Sequence, residues 1–127
     1  TNLLDLGDQQ SIEIPEKLPL MPMRDIIVFP SMIIPFFVRR ESSVNAVNEA
    51  LAAGRLIFLV TQKDSSEESP SKEGLYQTGV VALIMRTLQL PDGRLKILGQ
   101  ALIKGTIFKF IQEKPFFKIR VKLLREK

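Results

Sequence analysis

Apolar positions along this chain change period several times, and each change marks an element. Residues 18–38, LPLMPMRDIIVFPSMIIPFFV, are almost continuously apolar but carry Pro19, Pro22, Pro30 and Pro35. Each proline lacks an N–H and clashes with a preceding helical turn, so neither a helix nor a membrane span fits. Arg24 and Asp25 in the middle add to the cost of a bilayer setting. The stretch reads as an extended lead-in, a short strand at Ile26–Phe29, a turn at Pro30-Ser31, and a second strand from about Ile33 to Val38. Prolines at 19, 22 and 35 suit sheet edges and crossings rather than the middle of a regular ladder.

A switch to helical period follows in RRESSVNAVNEALAAG, where Val44, Val47 and Leu51 fall on one face with Ala50 beside them. Ser42 or Ser43 is expected to cap the start, and Gly54 stands where a left-handed residue ends a helix. LIFLVTQ (56–62) is short and apolar enough to be a buried strand, and KDSSEESPSKEG (63–74) a solvated loop. Strand-like runs at 76–90 and 94–103 flank Pro91-Asp92-Gly93, the clearest hairpin signal. Runs at 106–112 and 116–124 flank Glu113-Lys114-Pro115 and predict a second hairpin. Ile26, Val28, Ile33, Ile34, Val81 and Ile84 are assigned to the core. Many strands and one main α-helix give an α+β, mostly β domain, with an antiparallel sheet curled into a partly open barrel.

Composition narrows the chemistry. The chain of 127 residues has no cysteine and no histidine, which removes disulfides, thiolate chemistry and the usual zinc ligands and general base. An intracellular setting is therefore expected. No GxxxxGK[ST] or GxGxxG is present to cradle phosphates. Glu67-Glu68 is read as a solvated pair, and Asp25 as satisfying local backbone groups or its neighbour Arg24. No catalytic or metal-binding residues are assigned. The opening TNLLDLGDQQSIEIPEK has no basic or apolar leader character; it is expected to be a mobile acidic tail over residues 1–17, with the folded domain at 18–127. The absence of an initial methionine and the ending LLREK, running straight out of a strand, suggest a piece of a longer protein.

Charge is uneven: residues 1–17 hold four acids against Lys17, whereas 76–127 hold eleven Lys or Arg against three acids. Lys118, Arg120 and Lys122 alternate with Phe117, Ile119, Val121 and Leu123, so one side of the last strand is basic. Such a side could track a nucleic-acid backbone, or simply keep the solvent side of a sheet soluble. The remaining feature is surplus apolar surface: LPLMPM, FPSMIIPFF and ALIMRTLQL hold all four methionines. Methionine suits surfaces that accept varied partners. Met21, Pro22, Met23, Met85, Leu88 and Leu90 are the candidate binding residues. Strict alternation separates Met85 from Leu88 and Leu90 unless a bulge intervenes.

LPLMPMRDIIVFPSMIIPFFV, the helix with Ala50-Leu51, LIFLVTQKD and GLYQTGVVALIMRTLQLPDGRLKILGQA together resemble, over about residues 18–110, the N-terminal domain of Lon ATP-dependent proteases. Ser31 and Arg39 stand where that family commonly has glycine, and Ser31 must accept a tight turn. The resemblance implies a barrel related to PUA-like RNA-binding domains and a non-catalytic role in capturing unfolded or damaged proteins. It further implies other Lon subunits as partners in a homohexamer, a cytoplasmic location, and ATP, Mg and a Ser-Lys protease supplied by domains further along the chain. A nucleic-acid module, or a self-standing domain without an ATPase, are the alternatives.

Overall fold

A computed structural model describes residues 2–7, 10–24 and 28–125. Its elements are β1 (Asn2–Gly7), β2 (Gln10–Ile14), β3 (Lys17–Met23), β4 (Ile33–Val38), α1 (Glu41–Ala52), β5 (Leu56–Thr61), β6 (Thr78–Gln89), β7 (Leu95–Gln112) and β8 (Phe117–Leu123), with one 3-10 turn at Lys72–Gly74. The main sheet runs β4-β7-β6-β5-β3-β8, and β8 pairs back onto β7. The strands β7, β6, β5, β3 and β8 thus form a partly closed ring, and β4 is attached to the far half of β7.

The mostly β fold with one main helix agrees with the sequence reading, but several elements differ. The stretch expected as a tail holds a separate two-stranded hairpin, β1–β2, and Ile14 at its end is fully buried with Leu18 and Leu20. Alternating Ile12 and Ile14 give that segment an apolar side to bury, which its acidic composition masks. The lead-in LPLMPM is itself strand β3. Its first half, Lys17–Leu20, pairs with β8, and its second half, Leu20–Met23, pairs with β5. Each half has a ladder on one side only, so alternate N–H groups have no partner to lose, and Pro19 and Pro22 are accommodated. The pairing with β5 is parallel, because β4 and α1 carry the chain back to the same end. The strand expected at Ile26–Phe29 falls partly outside the described residues, as does Asp25; Val28 and Phe29 lie outside any strand.

The two runs at 94–103 and 106–112 merge into one 18-residue strand, β7. Gly105 at the join faces its cross-strand partner Gly79, and the two make room for the ring of Phe58. A Cβ on Gly79 would collide with the Leu59 carbonyl oxygen, so no side chain fits there. Helix α1 starts from Arg40 with no side-chain cap, so neither Ser42 nor Ser43 plays that part, and Ser43 is buried instead. Gly54 has φ 99°, as expected of a helix terminator.

Two cores result. One gathers Met21, Met23, Ile34, Phe36, Ala46, Val47, Ile84 and Ile97 beneath α1. The other gathers Leu18, Leu20, Phe58, Val81, Ile103, Ile119 and Val121 on the opposite side of the sheet. Strands β3 and β5 contribute alternate residues to both and are buried on both faces. The second core ends near Leu83. Beyond it, the same side of the sheet continues bare along β4 and the β6–β7 hairpin.

Candidate functional site

The bare side is set by strand period. In β4 the residues Ile34, Phe36 and Val38 point into the first core, so Ile33, Pro35 and Phe37 face out. Register across β4, β7 and β6 gives the rows Ile33–Gln100–Leu83, Pro35–Leu98–Arg86 and Phe37–Lys96–Leu88. Ile33, Phe37 and Leu88 are 56, 53 and 59% exposed. Phe29 and Met32, in the turn before β4, are exposed next to them in the chain. Ile33 is therefore a surface residue and not the core residue expected, because its neighbour Ile34 takes the inward position.

Met85 reaches this area through a bulge. Ile84 pairs with Gly99 and Arg86 with Leu98, so Met85 is the extra residue, exposed at the sheet surface. The guanidinium of Arg55 donates from Nε to the Ile84 carbonyl at 2.8 Å and from a terminal nitrogen to that of Met85 at 3.3 Å. Arg55 itself sits at φ 72°, just after Gly54. Similar single-residue shifts in β7 leave Phe108 and Ile111 exposed at the other end of the strand.

The turn end of the face is held by charge. Arg94 lies over the Phe37 ring, its guanidinium carbon 4.8 Å from the centroid, and its Nε donates to Asp92 at 2.7 Å. The Arg94 backbone N–H and guanidinium hold the Asp92 carboxyl below the usual carboxylate range. On the other flank, an open cleft of about 630 Å³ runs between β3 and β4, with Phe37, Pro35 and Pro22 among its walls and Arg24, Arg39 and Arg40 at its rim. Burial, then the neighbouring Arg24, pushes the Arg40 guanidinium down, while Glu68 opposes. Arg40 donates to Oε1 of the buried Gln62 at 2.7 Å, and the Gln62 amide donates to the carbonyls of Asp64 and Glu67. That network anchors the 63–74 loop beside the cleft.

Of the candidate binding residues, Met21 and Met23 are only 2 and 7% exposed and belong to the core. Their expected exposure is corrected: β3 has a core on each side, so no run of its side chains can face water. Pro22 is half-buried and lines the cleft. Met85 and Leu88 are exposed, and Leu90 is half-buried at the turn, where its carbonyl accepts from Gly93 N. The basic side of β8 is largely engaged. Lys118 is 3.0 Å from Glu49 and Arg120 is 3.0 Å from Glu16, leaving Lys122 exposed. Glu68 pairs with Arg24 at 3.3 Å. Ile33, Phe37 and Lys96 were missed; the signal was the run IIPFFV, which is apolar at both parities and therefore overfills a one-sided strand. Among the described residues no group of three or more His, Cys, Asp or Glu could hold a metal ion. No helix among them is long and apolar enough to cross a membrane.

Residues 17–127 match the family model described as the ATP-dependent protease La (LON) substrate-binding domain. The chain belongs to the LON substrate-binding domain family. It is 50% identical over 119 residues to the Lon protease of Geobacter metallireducens, covering 94% of this chain and 14% of that one. It is 51% identical over 118 residues to the Lon protease of Trichlorobacter lovleyi, covering 93% and 14%. The chain thus spans about one seventh of the length of these Lon relatives. The fold matches the N-terminal domain of a Mycobacterium avium complex Lon protease with TM-score 0.69 at 17% identity, over 87% of this chain and 56% of that chain. A Lon N-terminal domain protein from Xanthomonas campestris matches with TM-score 0.65 at 14% identity, over 86% and 60%. Ser31 has φ 76°, the left-handed turn that glycine takes without strain.

Proposed function

We propose that this LON domain captures unfolded or damaged proteins on the bare outer face of β4, β7 and β6. The observation that carries this reading is the clustered outward display of Ile33, Phe37, Met85 and Leu88 on adjoining strands, outside both cores and apart from Phe108 and Ile111 at the other end of β7. Unfolded chains expose apolar side chains that native proteins hide. Fully burying one contributes roughly 1.5–3 kcal/mol, and association costs at least about 4 kcal/mol, so a few contacts give weak, reversible binding. Release towards a motor requires that weakness. In the full-length protein, a cytoplasmic homohexamer with ATP- and Mg-dependent unfolding and Ser-Lys proteolysis in its other domains, six copies recover affinity by effective concentration. Contribution of this domain to hexamer assembly is part of the same reading.

The test is titration of the chain with folded and unfolded forms of one reporter protein. Binding only to the unfolded form, weakened severalfold or more by Phe37→Ser with Leu88→Ser, is the expected result. Equal binding of folded and unfolded forms, or undiminished binding by the double variant, overturns it. Binding that instead collapses with salt and with Lys122→Gln would point to nucleic acid.

A further inference from the structure

Among the described residues, the register rows of the outer face carry cations and no carboxylate. Lys96 stands in register between Phe37 and Leu88, and Arg86 beside Leu98. Both are exposed, and neither has an ion-pair partner among the described residues. Asp92, the acid nearest Lys96 and Arg86 in the chain, is already engaged by Arg94 at 2.7 Å, and Glu68 at the cleft by Arg24 at 3.3 Å. Arg39, two residues beyond Phe37, lies exposed on the rim of the adjoining cleft, where its charge also acts on Asp92. Phe37 and Leu88 thus flank Lys96 across the strands, and Met85 adjoins Arg86 in β6.

We propose that this face selects among unfolded segments, preferring those in which apolar side chains neighbour Asp or Glu over equally apolar segments that are neutral or basic. The inference rests on the capture reading and names its substrate class. Directly opposed residues stand about 5 Å apart across a sheet, and alternate side chains of an extended segment about 7 Å apart along it. An apolar side chain seated on Phe37 or Leu88 therefore brings its neighbours within reach of Lys96, and one seated on Leu98 within reach of Arg86. A lysine at such a neighbour meets like charge instead. Each exposed pair is worth a few-fold in affinity, so two or three together give about tenfold between acidic and neutral segments at low salt. Screening reduces the preference as salt rises.

Three labelled 14-residue peptides with the same Leu and Phe positions, and Asp, Ser or Lys between them, are titrated into the 127-residue chain by fluorescence anisotropy. The order expected is Asp tighter than Ser, and Ser tighter than Lys, with the Asp-to-Ser ratio near ten at low salt and falling towards one at high salt. Arg86→Gln with Lys96→Gln, both at exposed positions, should bring that ratio to about one; Arg39→Gln should reduce it partly. Equal binding of Asp and Ser peptides by the unaltered chain overturns the proposal, as does a ratio that survives the double variant. A single-stranded oligonucleotide binding tighter than the Asp peptide, with the excess lost in the double variant, also overturns it by assigning these cations to a polyanion. If the Ser peptide does not bind at all, the capture reading fails; if it binds and the ratio is one, only the charge preference fails.

Discussion

Strands β3 and β4 are built from similar words, KLPLMPM and IIPFFV, yet water meets them differently. In β3 the four residues Leu18 to Met21 are all buried in sequence, and so is Met23. In β4 burial alternates strictly, and half of an equally apolar strand is left outside. The cause is position: β3 lies between two cores, whereas β4 is the last strand of the sheet and touches only one. An apolar run in the interior is explained by packing on both sides. The same run on a one-sided edge strand leaves Ile33 and Phe37 outside both cores, Phe37 with only the Arg94 guanidinium over its ring, and it is on that surplus that the proposed capture surface rests.

Truncation separates the two strands most sharply. Met21→Ala should lower unfolding free energy by about 2–5 kcal/mol, since its cavity lies inside close-packed β3, β5 and α1. Phe37→Ala should cost no more than about 1 kcal/mol, because it removes only the Arg94 contact from an otherwise exposed ring. Urea titrations with equal slopes measure both, and comparable losses would erase the distinction. A smaller effect belongs to the bulge. Arg55→Ala removes both donors to the carbonyls of Ile84 and Met85, and should cost about 1 kcal/mol, with amide exchange accelerated at Met85 and Arg86. Unchanged exchange there would show that the bulge holds itself. Smallest and opposite in sign is Ser31→Gly at the entry to β4. Relief of the positive φ, partly offset by the greater freedom of glycine in the unfolded chain, should raise stability by about 0.5–1 kcal/mol. Thermal melts resolve it, and a lower midpoint would contradict the strain argument.

Much of the fold was legible because it depends on local pattern. The Pro91-Asp92-Gly93 turn, the helix ending at Gly54 and the alternation of β8 all follow from period and turn chemistry. The strained Ser31 turn was legible only through family resemblance. What escaped depends on partners distant in sequence. Nothing within LPLMPM reveals that β5 and β8 flank it, so its methionines read as exposed. Ile12 and Ile14 sit in a run of acids and amides that disguises a buried edge. Lys118 and Arg120 read as free cations because Glu49 and Glu16 lie far away in the chain. The proposed surface was half visible: Met85 and Leu88 are exposed as expected, whereas Ile33 was given to the core by hydrophobicity alone.

The extra residue in β6 separates two design problems that a regular strand ties together. Met85 projects from a kink whose flanking pairs, Ile84 with Gly99 and Arg86 with Leu98, are fixed without it. Its side chain can be exchanged for a longer, shorter or aromatic one while the ladder keeps step. A lineage could therefore vary what this face displays, one substitution at a time, on a scaffold that stays the same.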